Sequence, residues 1–253
     1  MIEGFMQNPQ LDGKPFYLKG GRTGFLLFHG FTATTVEVRS LAEYLYSQGY
    51  SVYGPLLPGH GTSPEDMNRC TWRDWTSAAE TAYQQALKEC GTIWVGGESM
   101  GGLLSLYLAS QHPEIKGLIL YAPALRSPKM WRTVFARFFV KTISKHTVDD
   151  SMPWQGYIVT PVQAAYQLYL LQKEIDRLID RVQQPVAIFQ GRLDRTISPE
   201  SSPMVYDRIG SKVKQLRWYD NSRHCILLDE EFDQVAKDSL SFIHMIEDGK
   251  TTS

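Results

Sequence analysis

No stretch of this 253-residue chain approaches the roughly 20 consecutive apolar residues needed to cross a bilayer, so no membrane span is expected. Cysteine is scarce. Cys70, Cys90 and Cys225 are an odd number with no C-x-x-C pair, which argues against both a disulfide framework and a zinc site. Neither sign of charge is in excess: 26 basic residues face 27 acidic ones, for a net charge of -1. That balance leaves no electrostatic footprint for nucleic acid. Met1-Ile2-Glu3-Gly4 lacks the basic start and apolar run of a secretory signal. The expectation is a reducing, cytoplasmic home. No two histidines have the i, i+4 spacing of a helical metal site, so no metal is expected.

What is present is an alternation of short apolar runs and longer helical patterns. The runs are Phe25–Phe28, Tyr50–Tyr53, Ile93–Val95, Leu118–Tyr121 and Val186–Phe189, with Val213–Tyr219 as a more polar edge strand. Most are nearly continuous rather than alternating, as in strands buried on both faces. Helices are expected over about Val36–Gln48, Trp72–Glu89, Gly101–Gln111, Pro199–Ile209 and Glu230–Glu247. The fold class is therefore α/β. The sheet is expected to be mostly parallel, of about six to eight strands, with helices on both faces.

Residues 125–182 break the alternation. No strand is evident there, and two helical patterns are. Trp131, Val134, Phe135, Phe138 and Phe139 follow the spacing of an apolar helical stripe. Thr160-Pro161 reads as the cap and first position of a second helix carrying Val162, Tyr166, Tyr169 and Leu170 on one face. The domain reading is a core of 1–124 and 183–253, with 125–182 as an inserted helical cap. Trp131, Phe135, Phe138 and Phe139 are then expected to pack on the sheet, to line a substrate pocket, or both. Arg132 and Arg137 interrupt the stripe and argue against a membrane-inserting helix.

Ligands of such sheets sit at the carboxyl ends of the strands, so motifs just after strands carry most weight. Gly97-Glu98-Ser99-Met100-Gly101 lies between a strand and a helix. It is a G-x-S-x-G elbow, in which glycines leave room for a serine on a sharp, strained turn. The N–H of Met100 then sits at a helix N-terminus, placed to receive an oxyanion. His29-Gly30-Phe31 follows the first strong strand, and Phe31 offers the second N–H; His29 reads as a loop-holding residue. Asp194 follows the strand ending at Phe189, with a turn role or pairing with Arg192 or Arg195 as its bland alternative. His224 lies beyond the last strand. The chain order Ser99, Asp194, His224 is the one expected of a nucleophile, an orienting acid and a base in this architecture. Asp207 falls within a helix and Asp220 precedes the base too closely to be the acid. His60 reads as a rim-structuring residue, and Cys225 as a small buried neighbour of the base.

On these motifs, with Pro58-Gly59-His60-Gly61 and Gly191-Arg192-Leu193-Asp194, the chain resembles the α/β-hydrolase superfamily from about Gly24 to Ile246. Within it the chain looks most like bacterial serine carboxylesterases and monoacylglycerol lipases. The resemblance implies hydrolysis of short- to medium-chain esters, monoacylglycerols being one candidate class, with no cofactor. Arg223 departs from the glycine common before the histidine in relatives, and is expected to narrow the entrance. Thioester, amide and carbon–carbon bond hydrolysis remain open for the same serine, as does a ligand-binding role without turnover.

Overall fold

The computed structural model describes residues 4–145 and 151–249. The chain opens with β1 (Met6–Gln7) and β2 (Phe16–Leu18), then runs through β3 (Thr23–Phe28), α1 (Val36–Ser47), β4 (Ser51–Gly54), α2 (Pro64–Arg69), α3 (Trp72–Glu89), β5 (Thr92–Glu98), α4 (Met100–Gln111) and β6 (Gly117–Tyr121). A short excursion follows: α5 (Thr133–Ala136), β7 (Thr142–Ser144), β8 (Gly156–Tyr157), β9 (Val159–Pro161) and α6 (Val162–Leu178). The chain then completes the sheet with β10 (Val186–Gly191), α7 (Ser201–Arg208), β11 (Lys214–Tyr219) and α8 (Phe232–Glu247).

Seven strands form the central sheet in the order β11-β10-β6-β5-β3-β4-β2. All neighbours run parallel except β2, which pairs antiparallel with β4. The strand period of two divides the apolar runs between two cores. Leu26, Phe28, Val95, Leu120 and Ile188 face α3, α4 and α6. Phe25, Leu27, Trp94, Ile119 and Phe189 face α1 and α8. This is why the runs are continuous in sequence. Local signals set the helix starts: Ser63 accepts the N–H of Asp66 at the head of α2, and the Thr71 N–H donates to Asp74 at the head of α3. Lys214–Tyr219 lies at the sheet edge, as its polar composition leads one to expect.

Residues 125–182 differ from expectation in four ways. They contain strands, the short β7, β8 and β9, each only two or three residues long. The second helix begins one residue later than expected. Thr160 and Pro161 are extended in β9, where Pro161 pairs with Thr142, and helical geometry starts at Val162. The buried face of α6 is also rotated. It carries Ala164, Leu168, Leu171 and Ile175, while Tyr166, Tyr169 and Leu170 are only half-buried. The stripe from Trp131 to Phe139 does not form one helix. A 3-10 turn at Met130–Arg132 leads into the four-residue α5, and Trp131, Phe135, Phe138 and Phe139 are exposed.

Candidate active site

Ser99 sits between β5 and α4 with φ 57° and ψ −112°, outside the regions ordinary L-residues favour. Its N–H donates to the Tyr121 carbonyl (2.9 Å), and its own carbonyl accepts from Gly102 and Ala124 (both 3.2 Å). The turn is thus held on both sides. A Cβ at Gly97 or Gly101 would run into the backbone carbonyl of Phe28 at the end of β3, so the elbow fits only with glycine at those positions.

β10 and β11 bring the other two groups to the same end of the sheet. Asp194 lies three residues past β10 and His224 five past β11. His224 Nε2 is 2.9 Å from Ser99 Oγ, and its Nδ1 is 2.7 Å from Asp194 Oδ2. Asp194 is fixed by more than the histidine. Its Oδ2 accepts from Gln190 Nε2 (2.9 Å), and its Oδ1 accepts the N–H groups of Thr196 (2.8 Å) and Ile197 (3.2 Å). Ser202 Oγ in turn donates to Gln190 (2.7 Å). Arg192 pairs instead with Asp220 at the surface (2.6 Å), so neither is engaged with Asp194.

Burial alone would depress His224, but the Asp194 charge and hydrogen bond, helped by the Glu37 carboxyl, outweigh it and raise the imidazole above its ordinary value. Burial likewise works against ionised Asp194. The His224 charge and the donors from His224, Gln190 and Thr196 prevail and hold it below the usual carboxylate range. The arrangement is a carboxylate kept charged, an imidazole kept basic and a hydroxyl at its free nitrogen.

Phe31 and Ser99 border one cavity of about 710 Å³. The loop carrying Phe31 is pinned by a buried carboxylate that gave no motif-level signal. Glu37, on α1, accepts the Gly30 N–H, the indole N–H of Trp154 (3.1 Å) and the Cys225 thiol (3.7 Å). Its signal was positional: Glu37 shares the buried face of α1 with Leu41 and Leu45. Met100 presents its backbone N–H at the start of α4, beside Ser99. His29 lies behind the loop, its Nε2 accepting the Leu57 N–H (3.1 Å), and burial lowers it to about 4. His60 packs against His29 with ring centres 4.8 Å apart and is buried rather than at a rim. Lys145 is a further residue that sequence reasoning missed. It donates to Thr32 Oγ1, lies over the Trp154 ring, and lines the cavity.

Trp131, Phe135, Phe138 and Phe139 do not line this cavity. Its apolar wall comes from Met130, Met152, Trp154, Leu168, Leu193 and Ile197. The stripe fails as a lining because it is broken into short turns and its four aromatic side chains face water. Arg223 does border the cavity, held by Asp229 (2.7 and 3.0 Å). Glu37, Glu98 and Cys225 bring ligand-type atoms within 4.8 Å of one another. Both oxygens of Glu37 are engaged by internal donors. Burial holds both carboxyls and the thiol above their ordinary values.

The model of the alpha/beta hydrolase fold matches residues 24–149, and that of serine aminopeptidase S33 matches residues 156–231. A thermostable monoacylglycerol lipase of Bacillus sp. (strain H-257) is 35% identical, over 93% of this chain and 96% of that protein. The chain belongs to the α/β-hydrolase family. A second α/β-hydrolase relative, a carboxylesterase of Bacillus subtilis (strain 168), is 34% identical over 92% of this chain and 97% of its own length. A solved structure from work on LipS and LipT, two metagenome-derived lipolytic enzymes, superposes with a TM-score of 0.87 at 34% identity, covering 92% of this chain and 97% of that one. Among the described residues no helix is long and apolar enough to cross a membrane.

Proposed function

We propose that this α/β-hydrolase is a serine carboxylic ester hydrolase acting on short- to medium-chain esters, monoacylglycerols among them. The observation that carries this reading is the Ser99–His224–Asp194 hydrogen-bond chain opening onto a largely apolar cavity. His224 takes the hydroxyl proton as Ser99 Oγ attacks the ester carbonyl carbon. Asp194 holds the tautomer with Nδ1 protonated and stabilises the imidazolium. The N–H groups of Phe31 and Met100 receive the oxyanion, each such donor contributing about 3–4 kcal/mol to the transition state. The alcohol departs with the proton from His224. Water, deprotonated by His224, then releases the acid from acyl-Ser99. No metal or cofactor enters this scheme.

Residues 125–182 serve in this reading as a cap, a role supported by Met130, Met152, Trp154 and Leu168 lining the cavity that Ser99 borders. Cys70, Cys90 and Cys225 are free thiols, which supports a reducing, cytoplasmic setting. The match of residues 156–231 to a serine aminopeptidase model favours amide hydrolysis as the second reading.

The test is release of 4-nitrophenol from its butyrate ester, with butyryl anilide as the amide counterpart. A burst followed by steady turnover of the ester is expected, with Ser99→Ala lowering kcat by about 10⁵-fold or more. Unchanged turnover in Ser99→Ala ends the site assignment. Faster cleavage of the anilide favours the second reading.

A further inference from the structure

Four aromatic side chains between β6 and β7 stand in solvent: Trp131 is 57% exposed, Phe135 65%, Phe138 70% and Phe139 86%. Single exposed rings are ordinary; four within nine residues form a patch that needs an occupant. The same stretch is one-sided in charge. From 126 to 145 it holds Arg126, Lys129, Arg132, Arg137, Lys141 and Lys145, and no Asp or Glu, in a chain whose overall balance is near zero. Arg126 is paired with Asp176 (2.8 Å), Arg137 lies over the Phe138 and Tyr166 rings (4.5 and 3.8 Å), and Lys145 turns inward to Thr32. Lys129, Arg132 and Lys141 remain exposed with no acidic partner among the described residues.

We propose that this aromatic and basic face docks the protein on an anionic lipid surface. A second copy of the chain fits poorly. A two-fold contact would set these cations against their own copies, with no acid between 126 and 145 to answer them. An anionic head-group layer supplies the opposite charge, and it also accepts aromatic rings at its boundary with the acyl chains. The arginines that exclude burial in hydrocarbon suit that layer. Because α5 is one turn long, the rings reach only interfacial depth. Pro128 and Met130 of the same stretch line the cavity that holds Ser99, so docking brings the cavity to the lipid.

The test is co-sedimentation of the full chain with vesicles, and it does not depend on ester turnover. Vesicles of phosphatidylcholine with about a quarter phosphatidylglycerol are compared with pure phosphatidylcholine. Partitioning at least about ten-fold stronger onto the anionic vesicles, weakening with salt, is expected. Lys129→Gln with Lys141→Gln should lower it about twenty-five-fold, from roughly five-fold per basic residue. Phe138→Ser with Phe139→Ser should lower it by at least about ten-fold. Both pairs are exposed, so melting temperatures are expected to match the parent; if the aromatic pair melts early, the charge pair decides alone. Equal or absent binding to the two vesicle types overturns the proposal. So does lipid-free dimerisation in sedimentation velocity that the phenylalanine substitutions abolish, which would assign the face to a second copy.

Discussion

Glu37 accepts the N–H of Gly30 and so ties α1 to the loop that carries Phe31. The same carboxyl also holds the indole of Trp154, so one buried group sets both the loop and part of the cavity wall. Glu37→Ala leaves the Gly30 N–H, the Trp154 indole and the Cys225 thiol without this acceptor, at about 1–3 kcal/mol for each donor that stays buried. Ester turnover should fall by about ten-fold or more in kcat while KM stays within about two-fold, because the loop acts on the oxyanion rather than on the ground state. Glu37→Gln keeps one acceptor oxygen and should recover part of kcat. It should also move the acid limb of kcat/KM to lower pH, since the Glu37 charge helps raise His224. A shift in kcat with no movement of that limb would reduce Glu37 to a packing role.

The pH profile follows from the signs at His224. Only the neutral imidazole accepts the Ser99 proton, so activity rises as pH climbs through the His224 pKa. That pKa is held above the ordinary 6.5, with Asp194 the strongest influence opposing burial. The midpoint of the acid limb should therefore lie above 6.5 in the parent. Asp194→Asn removes the opposing charge, so burial prevails and the midpoint moves down. It should also lower kcat by about 10⁴-fold through the wrong tautomer. A pH series of kcat/KM on both proteins checks the direction; an upward shift in Asp194→Asn would contradict the assignment.

The core strands were legible because burial on both faces leaves little besides apolar residues in Phe25–Phe28 or Val186–Phe189. The elbow motif, the positions just past strand ends and the chain order together singled out Ser99, Asp194 and His224, whose side chains lie in hydrogen-bond contact. What pins them was not legible. Gln190 and Glu37 act through side-chain hydrogen bonds to groups only four and seven residues away, which no motif marks. β2 is too short, at three residues, to leave a period. The stripe from Trp131 to Phe139 misled for a different reason. Periodicity reports that apolar residues share a face, and it is silent on whether that face meets the core or the solvent.

That contrast is measurable as stability. Phe139 is exposed, whereas Leu171 on α6 is fully buried against the core below β6. Phe139→Ser should change stability by no more than about 0.5 kcal/mol. Leu171→Ala opens a cavity and should cost about 2–5 kcal/mol. Urea unfolding of the two variants separates them. A large loss in Phe139→Ser would mean that the cap aromatics are packed after all.

The elbow gives the sharpest steric prediction. A Cβ at Gly101 would collide with the Phe28 carbonyl oxygen, a backbone atom at the end of β3 that cannot move without displacing His29 and Gly30 behind it. At Gly102, one residue on, the nearest atom is the Pro123 Cβ at 3.1 Å, a contact relieved by a few tenths of an ångström. Gly101→Ala should therefore push the start of α4 away from β3 and carry Ser99 out of line with His224. A displacement of about 1 Å at a reacting group is worth about 100-fold in rate. Gly102→Ala should keep activity within about ten-fold of the parent, helped by the better helix propensity of alanine. Comparing kcat of the two variants with 4-nitrophenyl butyrate, after each is shown to keep a native melting transition, isolates the geometry of the turn from the stability of the helix. Equal activity in both would mean that the serine is not held by the close approach of β3 to the elbow.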